Sequence, residues 1–121
     1  MADSENRLDD SILVTIREAL GMEGDTEEFD TDLIIHINSC LNFLTQVGIG
    51  PVDGFAINGD SEQWSDFIQE DRFNMVKSYI LMKLKVVFDP PSNSFVLNAL
   101  KEEIAETEWR LKEEAEEGIF H

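Results

Sequence analysis

The side chains best suited to nucleophilic, acid–base or soft-metal chemistry near neutral pH are scarce in this sequence: one cysteine, Cys40, and two histidines, His36 and His121. His36 and Cys40 are four residues apart, a spacing that puts both on one face of a helix. Such a pair could activate a thiolate or begin a metal site. No further Cys or His stands nearby, so Cys40 reads as a buried structural thiol and His36, after the apolar pair Ile34–Ile35, as a partly buried or interface residue. His121, the last residue, is a poor place to preorganise a base. Asp25, Glu27, Glu28, Asp30 and Asp32 have the charge of a calcium loop, but they lack its sixth-position Gly and its closing bidentate Glu. A solvated acidic loop that caps a helix explains them. No phosphate-cradling Gly-rich loop and no nucleophile elbow is present. The residues thus point to no enzyme, no metal and no cofactor.

The chain has 121 residues, 26 of them acidic against 9 Lys and Arg, for a formal charge of −17. This length supports one domain, and 42% hydrophobic residues supply a core, so the charge does not imply disorder. It does exclude a general nucleic-acid binder, which grips phosphate with basic patches, and it opposes docking on an anionic membrane. Residues 1–10 are polar and acidic, not a secretory signal, and the longest apolar runs are too short to span a bilayer. A single cysteine precludes an intrachain disulfide and fits an intracellular setting. The charge is uneven. Residues 1–70 hold 16 acids and 2 bases, and residues 90–121 hold 8 acids and 3 bases. Between them, Arg72, Lys77, Lys83 and Lys85 outnumber Asp71 and Asp89. That basic stripe could order neighbouring copies by complementary charge.

The elements that must position these residues are helical. Residues 1–8 read as an arm. A first helix is predicted over 10–20, capped by Ser11 or Asp10, with Ile12, Leu13, Ile16 and Leu20 on one face. A second is predicted over 31–47, with Leu33, Ile34, Ile37, Leu41, Leu44 and Val47 inward and Phe29 as a staple before the cap. Residues 48–59 carry too many helix breakers to continue it. Their alternating Val52, Phe55 and Ile57 suit a short β-like hairpin or a packed loop. A short helix over 61–69 is capped by Asp60 and turns Trp64, Phe67 and Ile68 inward. A fourth over 71–88 buries Phe73, Val76, Tyr79, Ile80, Leu84 and Val87, and Asp89-Pro90-Pro91 ends it. A fifth begins near Ser94 and continues to about 117, with Leu97, Leu100, Ile104 and Leu111 on one face and Ala105 and Trp109 beside it. The expectation is an all-α fold: a small antiparallel bundle of four to five helices with one long irregular loop. Residues 9–112 form the domain and residues 113–121 a tail.

Three features fit contact surfaces better than active sites. A long loop inside a small helical domain is often functional, which singles out Ile49, Pro51, Val52, Asp53, Phe55 and Ile57. Trp109 sits among Glu106, Glu108 and Arg110 and is either an exposed interface anchor or packed on the fourth helix. Ile119 and Phe120, beside His121, gain little on a terminus unless they dock on something. The Glu-rich turn over 113–117 opposes the helix dipole, so it should fray unless a partner orders it.

Together these elements resemble the head–tail connector (adaptor) proteins of long-tailed bacteriophages, which are short, acidic, all-helical chains. The resemblance runs over about 8–112. It rests on Asp30-Thr31-Asp32-Leu33-Ile34-Ile35-His36-Ile37-Asn38, the loop Gly48-Ile49-Gly50-Pro51 and Trp64-Ser65-Asp66-Phe67. It continues in Lys77-Ser78-Tyr79-Ile80, Phe88-Asp89-Pro90-Pro91-Ser92 and Glu108-Trp109-Arg110-Leu111.

The resemblance implies a homo-oligomeric ring in the virion neck, made in the bacterial host cytoplasm, between the portal protein and a stopper or tail-completion protein. DNA would pass through without specific binding. It further implies that the C-terminal segment, with Trp109, Ile119, Phe120 and His121, docks on the portal. The loop residues Ile49, Pro51, Val52, Asp53, Phe55 and Ile57 would face the next neck protein or the channel. Ring closure needs one patch to meet a different patch on the next copy, and Arg72, Lys77, Lys83 and Lys85 are candidates for such a pairing. The same charge admits an alternative: an acidic DNA mimic that blocks a DNA-binding host enzyme.

Overall fold

The computed structural model describes residues 8–22, 28–69 and 72–117. Five helices appear in the order α1 (Ile12–Ala19), α2 (Glu28–Gln46), α3 (Trp64–Phe67), α4 (Phe73–Phe88) and α5 (Ser94–Glu116), and no strand occurs among the described residues. The all-α bundle expected from periodicity is what forms. Residues 1–7 of the arm, 23–27 of the acidic loop and 118–121 of the tail lie outside the described residues.

Ser11 starts α1. Its hydroxyl accepts from Val14 N at 3.2 Å, and Thr15 Oγ1 donates to its carbonyl at 2.7 Å. Thr15 Oγ1 in turn accepts from Trp64 Nε1 at 3.1 Å, so the indole of a fully buried Trp is satisfied across 49 residues of sequence. Ile12, Leu13 and Ile16 meet Leu33, Ile37, Leu41 and Leu44 of α2 in one core. The chain entering α1 runs beside the chain entering α3: Ile12 N donates to Glu62 O, Trp64 N to Asp10 O and Ser65 N to Leu8 O.

α4 packs against both α2 and α5. Phe73, Val76, Tyr79, Ile80 and Leu84 are buried, with Phe73 edge-on to Trp64 at 5.4 Å. Arg72 beside the start of α4 pairs with Glu114 near the end of α5, so the two helices run antiparallel across the Asp89-Pro90-Pro91 link. Asn93 caps α5, its side chain accepting from Phe95 N and Val96 N.

Several boundaries differ from the sequence reading. α2 begins three residues early, at Glu28, and Asp30 in its first turn suits the positive end of a helix. Phe29 therefore lies inside α2, 43% exposed, and is not a staple. Of the two readings of the 48–59 segment, hairpin or packed loop, the packed loop is the one that forms. α3 is a single turn whose start is held by Asp66 Oδ2 accepting from Gln63 N, not by Asp60. Asn93, not Ser94, caps α5. Val87 and Ala105 are exposed.

Candidate functional site

The two groups with chemical potential stand in different surroundings, Cys40 in the core and His36 half-buried. Cys40 is buried, and burial pushes its thiol up to about 11, with nearby Lys83 pulling it back only in part. The thiolate that nucleophilic or metal chemistry requires is thus disfavoured. The His36 ring stands edge-on to Phe88 at 5.3 Å. Among the described residues no group of three or more His, Cys, Asp or Glu could hold a metal. Asp30 instead lies 3.7 Å from Arg17 Nη1, tying α2 to α1.

The 48–59 loop is irregular but tightly anchored. Ile49 and Ile57 are fully buried at its two ends. Asn38 of α2 accepts from Ile57 N at 2.8 Å and donates to Ile57 O at 3.0 Å, satisfying both backbone groups of that residue. Gly50, at φ +89, lies against the Phe67 ring so closely that a Cβ would come within 2.5 Å of it. Phe55 packs on the same ring at 5.3 Å. Between these anchors Pro51 to Gly54 close a turn, with Gly54 N donating to Pro51 O at 3.0 Å and Gly54 at φ +93. The turn presents Val52, 99% exposed, and the exposed Asp53. The six loop candidates thus split: Ile49, Phe55 and Ile57 pack inward, Pro51 is half-buried, and Val52 and Asp53 face out.

The basic stripe is engaged within the chain. Arg72 lies 3.6 Å from Glu114, Lys83 3.5 Å from Glu108 and Lys85 3.2 Å from Asp89, while Lys77 Nζ sits over the Phe73 ring at 5.4 Å. Glu108, which sequence reasoning had not picked out as a joint, also accepts from Tyr79 Oη at 2.7 Å. Burial first, and then this hydrogen bond, drives the Tyr79 hydroxyl above its ordinary range. Its only sequence signal is position: Glu108 stands four residues from buried Ile104, on the inner flank of α5.

The outer face of α5 carries Trp109, 62% exposed, and Phe95, 85% exposed. They are two heptads apart and so lie on one side of the helix. Of the two sequence readings of Trp109, its exposure favours the outward one. Ile119, Phe120 and His121 lie outside the described residues.

A cleft of about 330 Å³ opens where α2, α4 and α5 meet, its walls including His36, Cys40, Lys83, Leu84, Val87 and Lys101. Sequence reasoning missed it, because no single element contains it. No described helix is long and apolar enough to cross a membrane.

The molecule is thus a helical core that buries the Cys40 thiol, and its most exposed apolar side chains, Val52 and Phe95, stand on a loop tip and on the first turn of α5. A family model for phage connector protein matches residues 12–118, which takes in all five helices. No curated protein and no solved structure matches the chain.

Proposed function

From the premise that this chain belongs to the phage connector protein family, a family of structural proteins and not of enzymes, we propose that copies of it form a ring in the virion neck. The ring lies between the portal of the DNA-filled head and the stopper or tail-completion protein. The family match over nearly the whole bundle carries this reading. The buried Cys40 thiol is in keeping with it: in this reading the protein acts by assembly, without turnover.

The charge suits a passage for DNA. A wall that bound phosphate would hold the moving duplex, whereas a net charge of −17 repels it and leaves no sites where it would stick. The basic residues in and beside α4 do not reverse this, since Arg72, Lys83 and Lys85 are paired within the chain.

The tail over 113–121 is the portal-docking segment in this proposal, with Ile119 and Phe120 as apolar anchors and exposed Trp109 as a second contact. The tip of the 48–59 loop is a contact surface within the neck. Removing residues 118–121 is expected to abolish co-sedimentation with purified portal rings while leaving thermal unfolding unchanged. Docking that survives the deletion would disprove the tail assignment. The DNA-mimic alternative makes the opposite forecast for partners: a persistent monomer that ignores portals and inhibits a DNA-binding enzyme.

A further inference from the structure

Ring closure by identical copies requires two different, complementary patches on each copy, and the fold holds one such pair on opposite sides of α2. We propose that the Pro51–Gly54 turn of one copy seats in the α2–α4–α5 cleft of the next, and that this contact links the copies around the ring. The proposal rests on the ring reading above and names its interface.

Position comes first. His36 and Cys40 line the cleft, while Asn38, between them in sequence, holds the loop through Ile57. At 100° per residue, Asn38 is about 200° around the helix from His36. The knob and the cleft therefore face away from each other. A copy cannot fill its own cleft, but a head-to-tail neighbour can.

Shape and chemistry agree. The cleft has apolar walls in Leu84, Val87 and Ile104 and a volume of about 330 Å³, on the order of ten waters. The knob offers one fully exposed apolar side chain, Val52, followed by one exposed acid, Asp53. Lys83 and Lys101 line the cleft. Lys83 is shared with Glu108, whereas Lys101 makes no ion pair with another described residue. On a chain of net charge −17, most approaches between copies are repulsive. The cleft is a place where a neighbour's carboxylate meets cations instead. The knob also loses little conformational entropy on binding. Its turn is closed by its own Gly54-to-Pro51 hydrogen bond and anchored by Ile49, Ile57 and the Asn38 clamp.

The test uses the full chain assembled on portal rings. In a Cys40→Ser background, Asp53→Cys alone or Lys101→Cys alone can cross-link under mild oxidation only in pairs. The double variant is expected to give a ladder of trimers and larger species on non-reducing gels. A charge swap supplies the second arm. Asp53→Lys and Lys101→Glu are each expected to lower ring yield several-fold, and the two together to restore it. Rings that form normally but yield only dimers from the double cysteine variant, or a charge-swapped double worse than either single, overturn the contact and leave the ring reading standing. Cross-linking of the Asp53→Cys variant to a stopper protein in complete necks also overturns it. Single copies on the portal with no ring overturn both.

Discussion

The 48–59 loop and α5 invert the usual relation between regularity and anchoring. The loop has no repeating structure, yet it buries Ile49 and Ile57 completely and ties both backbone groups of Ile57 to Asn38. α5 is 23 residues of unbroken helix, yet only Ile104, Thr107, Leu111 and Ala115 are buried, and its first turn holds Phe95 85% exposed. Local hydrogen bonding makes α5 a helix, while the core fixes the shape of the loop. Hence the loop presents a rigid tip, and the outer face of α5 is free for a partner without loss to the fold.

The sharpest way to break this contrast is Gly50→Ala. A Cβ there would meet the Phe67 ring at 2.5 Å in a backbone conformation that L residues avoid. We expect a loss of about 3 kcal/mol, read by chemical denaturation. A loss below about 1 kcal/mol would mean that the loop is not held as described. Asn38→Ala comes next: it strips partners from Ile57 N–H and C=O and should cost about 2 kcal/mol, with faster amide exchange at Ile57.

The pH effect of Cys40 is confined to alkaline solution. Its thiol titrates near 11 in the folded chain against an ordinary 9.0. The unfolded chain therefore gives up its proton first as pH rises. Stability from this group is intact below about pH 9 and is lost as pH climbs towards 11. Cys40→Ala should flatten that decline in a series of melts, and an unchanged slope would refute the assignment. Trp109→Ala should have the least effect on the isolated chain, within about 0.5 kcal/mol, because the indole is mostly in solvent. Its effect should appear as weaker portal binding. A Trp109→Ala loss equal to that of Asn38→Ala would erase the contrast between the two regions.

Much of the bundle was legible because apolar spacing is a local signal. Leu33, Ile37, Leu41 and Leu44 mark the buried face of α2, and Phe73, Val76, Ile80 and Leu84 that of α4. The stop at Pro90-Pro91 was equally plain, and the first cap was narrowed to Ser11 or Asp10, of which Ser11 is the one used. What failed depended on distance in sequence. Asn38 to Ile57 spans 19 residues and Trp64 to Thr15 spans 49, and no window shows either. The spacing of Val52, Phe55 and Ile57 left hairpin and packed loop open; Gly54 at positive φ closes a turn to Pro51 and Phe55 packs on Phe67, which makes the packed loop. The role of Glu108 between Tyr79 and Lys83, and the cleft itself, exist only once helices from different parts of the chain are packed. The exposed surfaces were legible only in part: the charged neighbours of Trp109 left it open between exposure and packing on the fourth helix, and nothing in the loop sequence separated exposed Val52 from the inward Phe55 and Ile57.

The central claim, that this protein is a ring-forming connector between head and tail, is tested most directly by an electron cryo-microscopy reconstruction of the neck of the virion that contains it. The account predicts a ring of five-helix bundles coaxial with the portal and directly beneath it, with the 48–59 loop of each bundle against the next. A neck without this bundle, with the chain recovered as a monomer bound to a DNA-binding enzyme, would contradict it.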